Sequence, residues 1–397
     1  MIYCIYIIIN ILFICIFDGA EVSNNKRFSY CFLVAFLVLL TGLSRDMGAD
    51  SWTFRADFEF MPESIDRYSD ISYYVGFFML KGYMPFWTLL NMFLKSVFGD
   101  FVAVHFVLSL FLNISVGYLF YKHCSKPFTC LLFYFLLCYL YFNLEVMRES
   151  FAVLIGFFAV ESYLAKKTKT FLLFCFLAFM FHASAVILLL LPVLHFKVTP
   201  LTLVITGFIS LILFLISNFL VASLPGYFDS FSLGHKLVSA TSRTASVFGF
   251  ISVYIKFLFI PIISYLLLPK KRIAGSILSK IMPFAVGIGV ISCSIVGLSR
   301  WNDYWSIYSC LLLAELFWSV LLVKRTLIIK ATAVLVFLFT FNEEFSRYLH
   351  AFSNGYYKYD LYLPYSNVFD QEKDYSYRDA IHEAALLDAE DAALERK

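Results

Sequence analysis

The sequence has little charge, little glycine and no extended polar block, and these absences exclude most classes of soluble protein. Only 15% of the 397 residues are charged and only 17 are glycine, whereas soluble proteins average about 25% charged residues and about 7% glycine. The length alone predicts two or three soluble domains, yet no polar stretch is long enough to surround a core. A net charge of +3 is too small to indicate binding to nucleic acid.

Two further features are missing. The nine cysteines contain no Cys-x-x-Cys pair, and most lie in apolar runs, where cysteine behaves as a small hydrophobic residue. We therefore expect no metal site and no required disulfide. Residues 1–17 are as apolar as a signal peptide, but they have no basic residues before the apolar core and no good small-residue cleavage site, so we interpret them as a membrane span.

What the sequence has in abundance is apolar and aromatic surface. Hydrophobic residues make up 61% of the chain, with 47 Phe and 26 Tyr, and the mean hydropathy is +0.80. Because a spanning helix needs about 17–25 mostly apolar residues, this pattern predicts an all-α polytopic integral membrane protein with about 10–12 transmembrane or re-entrant helices. The expected spans are 2–17, 28–43, 101–121, 127–142, 149–165, 198–222, 247–268, 281–299, 304–323 and 327–341.

The basic clusters between these spans predict the orientation, since such clusters favour the cytoplasm. They are Lys26/Arg27, Lys122/Lys126, Lys166/Lys167/Lys169, Lys270/Lys271/Arg272 and Lys324/Arg325. All of them fall on one side only if two apolar segments do not cross the membrane. Residues 85–98 must be re-entrant or interfacial, and residues 170–195 must form a hairpin of two half-helices that turns at 181–184.

This topology divides the chain into two parts. Residues 1–345 form the transmembrane helical domain, with outer loops at 44–84 and 223–246. Residues 346–397 form an outward-facing C-terminal segment, and its acidic end, 372–397, is expected to be an exposed helix without evident chemistry.

The outer side then collects polar residues that the positive-inside rule makes scarce. Five arginines lie there with a small set of other polar side chains: Arg45, Arg148, Arg243, Arg300 and Arg347, with Asp50, Glu145, His182 and Tyr365. Arginine has a planar fork of donors that suits phosphate oxygens. Arginines beside a carboxylate and a histidine, at the level of the outer leaflet, suit a substrate carried on a diphosphate lipid.

Each of these residues also has a structural explanation. Arg45 and Arg300 could extend to lipid headgroups, as arginines at helix ends often do. Glu145 and Arg148, three residues apart, could form a plain ion pair on a helix. His182 could simply satisfy backbone groups at a helix break, although an intramembrane histidine is a functional candidate by default.

Four short motifs resemble one family when taken in order. They are Arg45-Asp-Met-Gly48-Ala-Asp50, Asn143-Leu-Glu145-Val-Met-Arg148-Glu149 with Ala152, Phe181-His182-Ala-Ser184-Ala185, and Pro364-Tyr365. The set resembles the bacterial O-antigen and exopolysaccharide repeat-unit polymerases, the Wzy-type, EpsG-like membrane proteins, over about residues 40–370. Two positions depart from the family pattern: Phe54 replaces a frequent Tyr, and Glu149 replaces a common Gln.

The resemblance implies a glycosyltransferase-C-like helical fold at the outer face of the bacterial inner membrane. Such a polymerase transfers the growing glycan from undecaprenyl diphosphate to the next lipid-linked repeat unit. Arg148, Arg300 and Arg45 would then bind the diphosphate, with His182 or Glu145 as the base. Asp50, Arg243, Arg347 and Tyr365 would complete the substrate site.

The expected partners are the lipid-linked oligosaccharide, membrane lipid and a chain-length regulator protein, with no nucleic acid. No cofactor is expected. Asp57-Phe-Glu59 could form an acidic metal motif like that of some membrane glycosyltransferases, but the family that the chain resembles needs no metal, so we expect none.

Two other functions remain open from the sequence. An O-antigen ligase-type glycosyltransferase would use the same donor chemistry, and the sequence does not separate it from a polymerase. A flippase of lipid-linked oligosaccharide would also place arginines near a diphosphate. Transporters commonly show internal repeats and midplane charges, whereas here no repeat is evident and the charges lie at one face.

Overall fold

The computed structural model describes residues 2–48, 50–61, 82–223, 247–323, 325–370 and 377–394. Over these residues the chain is almost entirely helical, and its β pairing is confined to two isolated bridges, Ser44 with Asn367 and Ala351 with Tyr357. Outer loop 223–246, including Arg243, lies almost wholly outside the described residues. The predicted all-α architecture is confirmed.

The helices follow the predicted spans closely. They are α1 Ile2–Phe13, α2 Lys26–Gly42, α3 Ser51–Phe60, α4 Pro85–Phe98, α5 Val102–His123, α6 Pro127–Leu137, α7 Met147–Leu164, α8 Thr168–Phe181, α9 Pro200–Ser223, α10 Val247–Tyr254, α11 Ile260–Leu267, α12 Lys270–Ile273, α13 Ile277–Ser294, α14 Asp303–Leu316, α15 Leu327–Tyr348 and α16 Tyr377–Leu394. Single π-helical turns extend α1 and α14 and join α10 to α11.

Within the described residues, six helical segments are long and apolar enough to cross a membrane, which makes this a multi-pass membrane protein. They are Ile2–Gly19, Val102–His123, Pro200–Ser217, Val247–Leu267, Ile277–Ser294 and Leu298–Leu321. Their burial differs sharply: 72% of Ile277–Ser294 is inside the protein, against 22% of Pro200–Ser217. The first is therefore central, and α9 exposes Leu201 and Phe208 on a lipid-facing surface.

The hairpin expected at 170–195 has its break where the sequence predicts it. Helix α8 ends at Phe181, His182 adopts an extended backbone, and a 3₁₀ helix, Ala183–Leu190, follows. The chain then returns to the level where α8 began, because the ring of His195 contacts Tyr163 at the end of α7. His182 thus lies at one end of the bundle, the His182 end, and Lys166 at the other, the lysine end.

Helix α4 is short and packs along α3, and the re-entrant or interfacial placement of 85–98 stays a prediction. It has 14 residues, about 21 Å at 1.5 Å per residue, which is shorter than the hydrocarbon core of about 30 Å. Both of its ends meet the segment that carries α3. Trp87 contacts Phe54, and Lys95 Nζ donates to the carbonyls of Phe58, Glu59 and Met61, which caps α3.

The expected span 127–142 is interrupted rather than continuous. Helix α6 ends at Leu137, and a π-helical turn, Tyr141–Glu145, precedes α7. Asn143 holds this turn: its side chain accepts from Thr41 and Asn113 and donates to Tyr134 Oη and to the Tyr139 carbonyl. Its hydrogen-bonding capacity is therefore filled inside the core.

The prediction that the acidic tail is an exposed helix is wrong for its first two turns. In α16, Arg378 and Ile381 are buried. Arg378 donates to the Asp46 and Asp360 carbonyls, to Ser366 Oγ and to the Pro364 carbonyl. Four hydrogen bonds from one guanidinium thus tie the first outer loop to the C-terminal segment.

Candidate functional site

The turn between α6 and α7 directs two neighbouring glutamates to different partners. Val146 leaves the helical conformation, with φ −97° and ψ 45°, so Glu145 does not share a helical face with Arg148. Glu145 is buried and binds Lys358 Nζ at 2.9 Å and the Tyr362 hydroxyl. The simple Glu145–Arg148 ion pair that the spacing allowed is therefore not formed.

Glu149, not Glu145, meets the His182 hairpin. Ser184 Oγ donates to Glu149 Oε1 at 2.6 Å and lies 2.6 Å from His182 Nδ1 and 3.1 Å from Tyr304 Oη. The longer contact from the Ser184 amide to His182 Nδ1 is 3.3 Å. Glu149 is 1% exposed whereas the His182 side chain is 18% exposed, so the imidazole is the accessible member of the pair.

The second oxygen of Glu149 faces Arg300, which connects this cluster to a cavity. Arg300 lies 4.0 Å from Glu149 Oε2, and it lines a cavity of about 380 Å³ together with Asp303 and Arg347. Tyr141 donates to Asp303 Oδ2 at 2.9 Å, and Arg347 lies over the Tyr141 ring at 4.7 Å. His182, Glu149 and Arg300 are thus linked in sequence, with Ser184 between the first two. Arg300 in turn reaches the cavity that Asp303 and Arg347 also line.

The rest of the cavity wall combines apolar residues, such as Leu137, Phe142 and Phe257, with further polar ones. Lys256 pairs with Glu343 at 3.4 Å, and serine hydroxyls complete the wall at 252, 292, 299 and 306. A second cavity of about 130 Å³ shares Lys256 and Ser306 and reaches Asn302 and Trp305. Asn302 Oδ1 and Trp305 Nε1 are buried without a hydrogen-bond partner among the described residues.

Arg148 and Asp50 lie on another side of the same cluster. The Arg148 guanidinium is 4.3 Å from the Tyr83 ring centroid and 5.3 Å from that of Phe54. Burial raises the pKa of Asp50, and Glu145 raises it further, while Arg300, Lys358 and Arg148 lower it. Asp50 is therefore within electrostatic reach of Arg148 and Arg300, two of the three predicted phosphate-binding arginines.

Two of the other expected site residues have structural neighbours and do not line the cavity. Arg45 is 42% exposed and 3.9 Å from Asp46, and its backbone pairs with Ser366. Tyr365 packs edge-on against Tyr3 of α1. Arg347 does line the cavity, as expected for the substrate site.

The two acidic residues considered as a metal motif are engaged separately. Asp57 accepts from the Tyr83 hydroxyl, and Glu59 pairs with Arg55 at 3.3 Å. Neither carboxylate lines the cavity of Arg300 and Arg347.

Sequence reasoning missed the central position of Glu149, and it gave no role to Asp303, Lys358 or Ser184 at the site. A signal for Glu149 was present, because a carboxylate in an apolar span is costly unless it has partners. Lys358 had no comparable signal, since its partner Glu145 is 213 residues away.

The comparisons with known proteins give one match. A family model described as the EpsG family matches residues 27–367. Searches of curated proteins and of solved structures found no match to this chain.

Proposed function

The chain belongs to the EpsG family of exopolysaccharide and O-antigen polymerase-like membrane proteins, and on this premise we propose that it polymerises lipid-linked glycan repeat units. The donor would be the growing glycan on undecaprenyl diphosphate, and the acceptor a sugar hydroxyl of the next lipid-linked unit. The reaction would take place at the outer face of the bacterial inner membrane. Sugar–sugar bond formation would release the lipid diphosphate.

The cavity of about 380 Å³ is suited to the leaving group. Arg300, Arg347 and Lys256 all line it, and negative charge develops on the diphosphate as the glycosidic bond breaks. Cationic donors that are already in position stabilise such charge without having to reorganise. Glu344 pairs with Arg347 at 3.0 Å, and Glu149 lies 4.0 Å from Arg300.

His182 is suited to accept the proton of the acceptor hydroxyl. Ser184 has one hydroxyl proton and donates it to Glu149. His182 Nδ1 lies 2.6 Å from Ser184 Oγ and 3.3 Å from the Ser184 amide, so it accepts from the amide in one tautomer and donates to the hydroxyl in the other. Proton transfer from the acceptor requires the tautomer that carries the proton on Nδ1. In this tautomer Nε2 is the basic nitrogen, as a general base requires.

The single observation that carries the proposal is this continuity of His182, Ser184, Glu149 and Arg300 beside the cavity. The adjoining Asn302 and Trp305 add buried polar atoms without a described partner. Sugar hydroxyls both donate and accept hydrogen bonds, so they can satisfy a carbonyl oxygen and an indole N–H together.

The test uses surface glycan from a deletion strain. Without this protein, cells should still export single repeat units and should display one-unit glycans. His182→Ala should reproduce that pattern at normal membrane abundance, because loss of a general base slows transfer by about 10²–10⁴-fold. His350→Ala, a change to an exposed histidine, is the matched control and should preserve long chains.

The opposite results discriminate among the functions. A deletion strain with no repeat units outside the cell would indicate a flippase. Long glycan that accumulates on its carrier lipid, without transfer to a final acceptor, would indicate a ligase. Long chains made by the His182→Ala strain would exclude His182 as the base.

A further inference from the structure

A third cavity, at the lysine end of the bundle, has a different chemistry from the two described above. It measures about 900 Å³ and lies between the end of α7, the start of α8, the start of α13 and the return limb of the hairpin, residues 192–197. The His182 site uses none of its lining residues. The proposed polymerisation therefore gives this cavity no role.

The charge of this cavity is entirely positive. Lys166, Lys197 and Lys280 line it together with His195, and the lining contains no aspartate or glutamate. Among the residues that the structure describes, none of these lysines has an ion-pair partner. Three exposed cations around one cavity without a counter-charge create a local potential that attracts anions.

The remainder of the cavity wall is apolar. Phe171, Leu172, Leu194, Phe196 and Pro283 supply this surface. Leu172 is 50% exposed and Phe196 is 40% exposed, so the apolar wall continues onto the outer surface of the bundle. A ligand that fills this cavity would have an anionic head and a hydrocarbon portion.

We propose that the cavity binds an anionic phospholipid by its phosphate headgroup. Lys166, Lys197 and Lys280 surround the phosphate oxygens, and the acyl chains lie along Leu172 and Phe196. Basic pockets between transmembrane helices at the cytoplasmic side are suited to such headgroups. The basic residues at 166–169 predict this side for the lysine end.

A bound lipid would also support the hairpin that carries His182. Leu194 of the return limb packs closely on α13, since a Cβ added at Gly287 would lie 2.4 Å from Leu194 Cδ1. His195 next to it contacts Tyr163. The lipid therefore occupies the space between the return limb and α8, and its binding stabilises the folded protein by mass action.

The experiment titrates the full-length protein in non-ionic detergent with single lipids and counts bound lipid by native mass spectrometry. Diphosphatidylglycerol and phosphatidylglycerol should bind, and phosphatidylcholine should bind at least about 10-fold more weakly because it has no net charge. Lys197→Gln/Lys280→Gln should weaken binding of the anionic lipids by about 25-fold, at roughly 5-fold for each lysine. Lys167→Gln/Lys169→Gln, which removes two exposed lysines outside the cavity, should retain wild-type affinity.

Three results would overturn the proposal. They are unchanged lipid affinity in Lys197→Gln/Lys280→Gln, equal binding of phosphatidylcholine, and displacement of the lipid by millimolar inorganic phosphate, which would identify a site for a free anion. Lys197→Arg/Lys280→Arg keeps the charge and should keep the affinity. A folded Arg variant that binds no lipid would also contradict the proposal.

Discussion

The Nδ1 atom of His182 and the Oε1 atom of Glu149 are 3.6 Å apart, and the Ser184 hydroxyl bridges them at 2.6 Å from each. The carboxylate therefore acts on the imidazole through a hydroxyl rather than by direct contact. Direct Nδ1–Oε1 hydrogen bonding at 3.6 Å would be too long. This arrangement makes Glu149 a positioning residue for His182.

Glu149→Gln tests whether the charge or the hydrogen bond matters. Glutamine keeps a carbonyl oxygen that can accept from Ser184, and the family that the sequence resembles commonly has Gln here. We expect glycan synthesis within about 10-fold of wild type for Glu149→Gln and at least about 10² lower for Glu149→Leu, because only Leu leaves Ser184 without its acceptor. Glycan length on gels and a rate assay in membranes measure this. Equal activity of the two variants would contradict the bridge.

Arg300→Lys keeps a positive charge at the cavity but loses the planar fork. We expect a loss of about 10²-fold in polymerisation, comparable to removal of one donor to a developing anion. Arg325→Lys, which changes an exposed residue at the lysine end of the bundle, is the control and should leave polymerisation unchanged. Long glycan chains from the Arg300→Lys strain would remove Arg300 from the site.

Arg148→Lys tests a different contact. The guanidinium lies over the rings of Tyr83 and Phe54, and a lysine has no planar group to stack there. We expect this variant to lose long glycan chains, with its membrane abundance unchanged on immunoblots. Full-length glycan in that strain would show that Arg148 only packs.

Cysteine labelling tests the predicted orientation. In a background without the nine native cysteines, Lys197→Cys and Arg272→Cys should be shielded from a membrane-impermeant thiol reagent added outside. Ser232→Cys, in the predicted outer loop, should react. Labelling of positions 197 and 272 from outside would show that the predicted orientation is wrong.

Docking of helix α16 should depend on pH through His382, which stacks on Trp52. Burial lowers the pKa of His382 from 6.5 to about 4, with Asp379 opposing and Arg378 adding to the effect. The neutral imidazole is therefore favoured in the docked state. The contribution of His382 to docking of α16 is complete above pH 6.5 and is lost as the pH falls toward 4. Over this range the equilibrium constant for undocking of α16 rises by up to about 10-fold per pH unit.

The emission of Trp52, isolated by comparison with Trp52→Phe, reports this undocking. His382→Gln does not titrate and should remove the pH dependence between 6.5 and 4. A transition that persists unchanged in His382→Gln would assign it to another group.

Much of the fold could be predicted because spans and orientation depend on the hydropathy and charge of short stretches of sequence. Apolar runs fixed nearly all of the spans, and the basic clusters required both the non-crossing helix at 85–98 and the break at His182. The break is present, and the helix at 85–98 is short. The π-helical turn at Tyr141–Glu145 could not be predicted, since the hydrogen bonds that hold it come from Thr41 and Asn113, which are distant in sequence.

The site was less predictable because its contacts join distant parts of the chain. His182, Arg300 and Arg347, which the sequence selected, lie at one end of the bundle, but Glu145 pairs with Lys358 and the carboxylate that Ser184 bridges to His182 is Glu149. Which glutamate faces the histidine depends on the backbone at Val146, and a spacing rule that assumes a continuous helix gives the wrong answer. The burial of Arg378 likewise depends on carbonyls up to 332 residues away.

The hydrogen bonds of Asn143 affect how genetic screens of this protein should be interpreted. Thr41 and Asn113 belong to α2 and α5, yet both hold the turn from which Glu145, Arg148 and Glu149 extend. Alleles at these two positions will abolish glycan synthesis although neither side chain lines the cavity. A mutational map scored only by glycan output will therefore extend well into the bundle, and substrate-binding assays will be needed to separate the supporting residues from those that contact the sugar.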